Sequence, residues 1–352
     1  MIKANNFDFL RFVFALLVVV SHSYVLSGNA IQSQWIYQLT SGQIEFSNIG
    51  LNGFFVLSGY LIFKSLERSK SLAEYYWKRL LRLFPALFVV LLVTVLAAPL
   101  VYENAVPYLK NHSVLTYLPN NLSLYHLQFG IKGVFEDNPY PSAINGSLWT
   151  ICYEFSMYVL LSVLFFVRRN TKTMAVLISA AFLVLFICHN FFIGQLGAHR
   201  LLSMQGNHFI NLGAFFVGGS VLASWHLEKL RHKRMVLMGF IIIMILAFSL
   251  HFYSEIKHII FPVIVLLTGL CPMPFFSSFG KKFGDMSYGI YIYGFPIQQT
   301  LMHFFGMDTM TLMLTSVILS MIFGYISWHL IEKNILKYKK IPFFERQIIK
   351  PI

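Results

Sequence analysis

The side chains with the clearest chemical potential in this sequence are ionisable groups set inside apolar stretches, because a charge in a bilayer is costly and usually marks function or pairing. Glu154 closes the run Gly146-Ser147-Leu148-Trp149-Thr150-Ile151-Cys152-Tyr153-Glu154, and of the fourteen acidic residues it is the one set well within a long apolar segment. His22 lies near the end of the first such segment. A carboxylate beside an imidazole suits general-base chemistry, with the acid orienting the ring and stabilising its charged form. Their depths along their segments match, so each is expected to serve as the other's partner. Arg11 precedes His22 by eleven residues, which brings a helix back to nearly the same face, displaced by roughly 16 Å. In Lys78-Arg79-Leu80-Leu81-Arg82 the two arginines stand at i and i+3, again on one face, and such a pair can clamp phosphate with forked donors.

Each of these groups also has a plainer reading. Arginines beside the ends of apolar segments often do no more than fix membrane orientation, and a buried ion pair can be structural. Ten further histidines, His208 and His258 among them, sit near segment ends where packing or an interfacial position accounts for them. His189 is more interior but has no evident charged neighbour in the sequence. Cys152, Cys188 and Cys271 show neither metal nor disulfide spacing and are expected to be reduced and structural.

The elements that must position these groups follow from composition. Of 352 residues 57% are hydrophobic and 12% charged, with a mean hydropathy of +0.66, a balance foreign to a soluble globular domain of this length. The net charge of +13 does not mark a nucleic-acid protein, because the basic residues are dispersed between apolar runs instead of forming a patch. Crossing the hydrocarbon core takes roughly 20 apolar residues as helix. Ten segments qualify: 7–27, 48–66, 83–102, 147–167, 173–193, 207–227, 235–253, 257–273, 286–305 and 310–331. The expected fold is therefore an all-α polytopic membrane bundle of about ten transmembrane helices. If the N-terminus is cytoplasmic, 23 of the 27 Lys and Arg fall on the cytoplasmic side, so both termini are placed there. The first segment lacks an A-x-A-like cleavage site and is expected to be retained as a helix. A membrane domain over 1–335 is followed by a basic cytoplasmic tail, 336–352. The stretch from Glu103 to Gly146, with four prolines, is either a lid over a substrate or a structural hairpin across the bundle.

Several of these stretches together resemble the acyltransferase-3 family of bacterial membrane acyltransferases. They are Asn6-Phe7-Asp8-Phe9-Leu10-Arg11-Phe12 followed by Val20-Ser21-His22-Ser23, the stretch Gly53 to Leu61, and Tyr76-Trp77-Lys78-Arg79-Leu80-Leu81-Arg82-Leu83-Phe84-Pro85. Ser147-Leu148-Trp149 with Tyr153-Glu154, and Gly284-Asp285-Met286-Ser287-Tyr288-Gly289-Ile290-Tyr291, complete the set. The resemblance runs nearly end to end in the family's order.

It implies a ten-helix domain of the bacterial cytoplasmic membrane that transfers an acyl group, usually acetyl, from cytoplasmic acyl-coenzyme A to a hydroxyl of a cell-surface glycan or lipid-linked sugar. Arg11, His22, Arg79 and Arg82 fall on the family's functional positions, and Glu154 on the acid after its Ser-Leu-Trp stretch. The resulting expectation assigns His22 and Glu154 to catalysis, and Arg11, Arg79 and Arg82 to the acetyl-CoA phosphates. Trp149 and Ser58 go to the acceptor, and no metal is expected. Many members carry His shortly before the proline of the ninth helix; this chain reads Tyr291-Ile292-Tyr293-Gly294-Phe295-Pro296, and that segment is expected to pack only. A proton-coupled transporter or flippase of a lipid-linked sugar is the rival reading, although no pair of broken helices in matching halves marks a midplane site.

Overall fold

The computed structural model describes residues 5–339. Each of the ten apolar segments folds as a helix: α1 Phe7–Leu26, α2 Phe46–Arg68, α3 Leu72–Ala97, α4 Trp149–Ser162, α5 Thr171–Phe191, α6 Gly206–Ser224, α7 Lys233–Ser249, α8 Tyr253–Leu270, α9 Ser287–Phe305 and α10 Thr309–Ser327. Among the described residues, seven helical segments are long and apolar enough to cross a membrane. These contain α1 to α5, α8 and α10, with α3 extended to Val101 and α10 to Lys339. The protein is a multi-pass, all-α membrane bundle. Of the remaining three, α6 and α9 carry mostly buried residues, Asn211, Gln298 and Gln299 lying along them, and helices shielded by neighbours need not be uniformly apolar. Lipid-type surface is plain at the periphery, where Phe166, Phe191, Val176 and Leu183 stand exposed.

Two features differ from the sequence expectation. Helix α3 begins at Leu72, about three turns before residue 83, because Ser71 caps it by accepting a hydrogen bond from the Glu74 N–H at 3.1 Å and Pro85 sits inside the helix without ending it. Arg79 and Arg82 thus belong to the helix body and face the bundle. The second is an added amphipathic helix, Pro274–Phe283, with Phe279 buried, Phe275 exposed and Lys281 and Lys282 in its last turn.

Helices α2 and α6 make the closest approach. A Cβ built on Gly59 would stand 1.8 Å from the Phe216 carbonyl oxygen, one on Gly219 would stand 2.2 Å from that of Val56, and the Ser220 hydroxyl donates to the Gly59 carbonyl at 3.0 Å. This contact fixes the face of α2 that carries Ser58.

Both ends of the described chain meet at one face, hereafter the basic face. The Asn6 amide donates to the Thr268 and Cys271 carbonyls at 2.9 and 2.8 Å, and the Trp77 indole N–H donates to the Tyr338 carbonyl at 3.0 Å. The expected basic tail therefore starts as a turn, residues 336–339, packed on α3; its remainder lies outside the described residues. At the opposite face the 103–146 stretch is an ordered cap containing the helix His112–Leu122, with Tyr117 and Ile131 fully buried. Asn138 of the cap donates to the Gln299 carbonyl of α9 at 3.0 Å, Gln299 donates to the Tyr140 carbonyl of the cap at 2.8 Å, and Asn145 donates to the Ile292 carbonyl at 2.9 Å. The cap is tied down as a structural element and also forms one wall of the outer cavity described below.

Candidate active site

At the basic face, α1, α3, α10 and the turn before α9 bring four charged side chains together. Asp285 Oδ2 accepts from Arg82 Nη2 at 2.6 Å and from Arg11 Nη1 at 2.9 Å, while Arg82 Nη1 donates to Glu332 Oε2 at 3.2 Å. Asp285 is held further by the Ser287 hydroxyl on Oδ1 at 2.6 Å. Burial alone would raise the Asp285 carboxyl; the Arg82 and Arg11 guanidiniums outweigh it and hold its pKa at about 2. Arg11 and Arg82 are thus already matched by carboxylates.

Arg79 is not. It is 4% exposed, its guanidinium lies 4.2 Å above the Tyr75 ring, and Nη1 donates to the Tyr75 carbonyl at 2.8 Å. Nε is buried with no hydrogen-bond partner, and no carboxylate pairs with it among the described residues. A cation desolvated this far is strongly disfavoured without a partner anion. It lines a cavity of about 370 Å³ together with Arg11, Lys78, Arg82, Asp285 and Lys339, which opens at the basic face.

A second cavity, about 130 Å³, continues inward and shares Arg11, Arg82, Ile62 and Tyr158 with the first. On its wall stands Glu154, whose Oε1 accepts from the Ser58 hydroxyl at 2.9 Å and from the Tyr158 hydroxyl in a very short bond. Tyr291 lines the same cavity and donates to the Ser147 carbonyl at 2.7 Å, so this part of the ninth-helix segment, expected to pack only, is a wall of the site.

His22 sits elsewhere. Its imidazole meets the Phe295 ring edge-on at 5.2 Å, and neither a hydrogen bond nor an ion pair joins it to Glu154 or to any other described residue. The expected His22–Glu154 pair is therefore not formed: Glu154 stands on the inner cavity with Arg11 and Arg82, whereas His22 stands at Phe295, about one helical turn beyond the Tyr291 that lines that cavity. Arg11 and His22 do share a face, since one meets Asp285 just before α9 and the other meets Phe295 within it. Phe295 also contacts Tyr140, at 6.1 Å between ring centroids, and a Cβ on Gly146 would stand 2.6 Å from its ring. Tyr140, Gly146 and Trp149 line a third cavity, about 900 Å³, beneath the cap at the face opposite the basic one. Phe295 thus stands between His22 and this outer cavity.

The expected residues accordingly distribute in layers: Arg11, Arg79 and Arg82 at the basic mouth, Ser58 and Glu154 on the inner cavity, His22 behind Phe295, and Trp149 in the outer cavity. Asp285 and Glu332 were not assigned from sequence, although Asp285 stands inside the Gly284–Tyr291 stretch and an Asp before an apolar helix facing two arginines is a signal of pairing. Glu332 offers less, because it follows the last apolar segment and looks solvated until the helix is seen to continue as a π-turn over Trp328–Glu332 that buries it to 2%.

Residues 5–329 match the acyltransferase domain of the acyltransferase-3 family. The chain is similar to an O-acetyl transferase of Shigella phage Sf6, at 27% identity over 95% of this chain and 96% of that protein. It is also similar to nodulation protein 10 of Rhizobium leguminosarum bv. viciae, at 32% identity over 50% of this chain and 48% of the relative. No solved structure matches. With an end-to-end match of this kind laid over a multi-helix bundle, the chain belongs to the acyltransferase-3 family and is a membrane acyltransferase.

Proposed function

We propose that this acyltransferase moves an acetyl group from acetyl-coenzyme A, bound at a cytoplasmic basic face, to a hydroxyl of a glycan or lipid-linked sugar entering from the opposite side of a bacterial inner membrane. The observation that carries the reading is Arg79, a buried guanidinium without a carboxylate partner at the mouth of a basic cavity that leads inward to Glu154. Its orphaned Nε and the flanking Lys339 fit a phosphate-bearing donor, while Lys78 beside them is paired with Glu74 at 2.5 Å. The name of the phage relative supports O-acetyl transfer. The distribution of Lys and Arg supports the orientation, with both termini cytoplasmic.

Acetyl-coenzyme A, when bound, supplies an activated thioester carbonyl and a sulfur leaving group. Arg79 holds donor phosphate, and Arg11 and Arg82, fixed by Asp285, shape the mouth and set the inward direction. Glu154, held by Ser58 and Tyr158, keeps a carboxylate on the inner cavity where positive charge or a proton can be stabilised. Trp149 offers the acceptor sugar an aromatic face from the outer cavity, and His22 takes the proton from the acceptor hydroxyl once the Phe295 ring, which stands between them, turns aside. A flippase of a lipid-linked sugar would use the same buried groups and would also meet a phosphate, that of the lipid carrier, so binding of acetyl-CoA is what separates the two readings.

The test uses vesicles of known sidedness with labelled acetyl-CoA supplied at the basic face and label followed into the glycan fraction. Wild type transfers label; Arg79→Gln loses transfer together with acetyl-CoA binding; His22→Ala loses transfer but still binds acetyl-CoA. Transfer unaffected by either substitution would refute the assignments, and wild-type protein that neither binds acetyl-CoA nor transfers label would favour the transporter.

A further inference from the structure

The outer cavity has a chemistry of its own that donor binding does not use. Its floor and sides are aromatic: Trp149 and Tyr153 stand edge-to-face at 5.5 Å, and the His208 imidazole approaches Trp149 at 4.6 Å between ring centroids. Flat aromatic faces of this kind suit the apolar face of a sugar ring. The charge of the cavity is one-sided. No carboxylate lines it, while Arg200 does, and no hydrogen bond or ion pair engages the Arg200 guanidinium among the described residues.

Arg200 is also placed by structure. It starts the two-residue strand Arg200–Leu201, paired in register with Met204–Gln205. That hairpin is pinned on both sides: the Gln205 N–H donates to the Tyr153 hydroxyl at 2.7 Å, and the Ser203 hydroxyl donates to the Tyr125 carbonyl of the cap at 2.6 Å. On the orientation proposed above, Arg200 is one of four basic residues on the non-cytoplasmic side, where arginine is disfavoured as a topology element. Arg200 is solvent-exposed at the rim of the cavity, so its guanidinium is hydrated and not stranded; beside an aromatic platform that no carboxylate shares, it offers an anionic ligand a charge-assisted contact.

We propose that the outer cavity is the acceptor subsite and that Arg200, with the His208 imidazole beside Trp149, selects an acceptor bearing a negative charge next to the sugar it presents: a carboxylate of an acidic sugar or the phosphate of a lipid carrier. The proposal rests on the acyltransferase reading and deepens it by naming the acceptor class. Neutral sugars of the same size occupy the platform but lack the charge-assisted contact.

The experiment is equilibrium binding to the purified full-length protein in detergent. The probes are a disaccharide ending in glucuronic acid, the same disaccharide ending in glucose, and a short-chain polyprenyl diphosphate sugar. Wild type binds at least one anionic probe about tenfold or more tightly than the neutral one, as expected for one charge-assisted contact. Arg200→Gln abolishes the difference and Arg200→Lys keeps part of it. The anionic probe that shows the Arg200 dependence identifies whether carboxylate or phosphate is the recognised group. Equal affinity for all probes in wild type, a preference that survives Arg200→Gln, or no probe binding by protein that binds acetyl-CoA would overturn the proposal. Acetyl-CoA binding, measured on the same samples, reports separately on the donor reading and confirms that each variant is folded.

Discussion

Replacing Asp285 with Asn keeps the shape of the side chain and removes the charge that holds two guanidiniums. In the wild type one oxygen, Oδ2, accepts from both Arg82 and Arg11, at 2.6 and 2.9 Å. The arginine side chains are 25% and 23% exposed and the aspartate 12%, so solvent screens the network in part. Breaking a fully buried pair costs about 3–5 kcal/mol; screening, and the Glu332 contact that Arg82 retains, bring the expected loss here to about 2–3 kcal/mol. Because the Asp285 pKa is held at about 2, below its usual 3.8, the contribution is fully present above about pH 4 and is lost only as pH falls toward about 2. Asp285→Asn therefore lowers the thermal midpoint of the detergent-purified protein by the same amount at pH 6 and pH 8. Acetyl-CoA binding and turnover should separate. The basic mouth loses a negative charge, so donor affinity is kept or tightened. The freed arginines lose their fixed direction, so turnover falls, by about tenfold or more if one well-oriented contact is lost. A variant with wild-type midpoint and wild-type turnover would refute the claim that this carboxylate organises the mouth, as would weakened donor binding with normal turnover at saturation.

Glu154→Gln should cut transfer by about tenfold or more while leaving the thermal midpoint unchanged, because the amide oxygen can still accept from Ser58 and Tyr158; activity and midpoint falling together would make Glu154 a structural residue. Gly59→Ala is expected to cost about 3 kcal/mol or more, seen as a lowered midpoint and reduced folded yield, because its Cβ would overlap the Phe216 carbonyl. A wild-type midpoint for Gly59→Ala would show that α2 and α6 can separate without penalty. Phe295→Ala, which removes the ring between His22 and the outer cavity, should make His22 reachable by a water-soluble imidazole reagent added from the cap side; unchanged labelling would place the barrier elsewhere.

The helices were legible because a membrane segment announces itself by length and apolarity: each of the ten apolar runs folds as a helix, although α3 starts earlier and, among the described residues, seven helical segments are by themselves long and apolar enough to cross a membrane. The boundary of α3 was misplaced because Lys78, Arg79 and Arg82 interrupt the apolar run, although the capping signal of Ser71 with Glu74 three residues later was present. The candidate site was legible by residue type, not by pairing. The ends of the apolar runs put Glu154 and His22 at one depth, but the fold seats Glu154 beside Ser58, with Tyr158 one turn along its own helix, and His22 at Phe295. Asp285 and Glu332 escaped for the converse reason: each lies just outside an apolar run, where an acid normally faces water, and only the folding of the turn before α9 and of the last helix onto α3 buries them beside Arg82. The cap over 103–146 could not be resolved between lid and structural hairpin because the bonds that tie it to α9, from Asn138, Asn145 and Gln299, are long-range.

On the proposed path an acyl donor enters at Arg79 and points toward Glu154. The most direct test is an experimental structure of the full-length protein with bound acetyl-CoA. The expected result is phosphate density against Arg79 with the arm running past Arg82 into the cavity that Ser58, Glu154 and Tyr158 line. Coenzyme A density anywhere else, or phosphates held by Arg11 and Arg82 with Asp285 displaced and Arg79 left untouched, would contradict it.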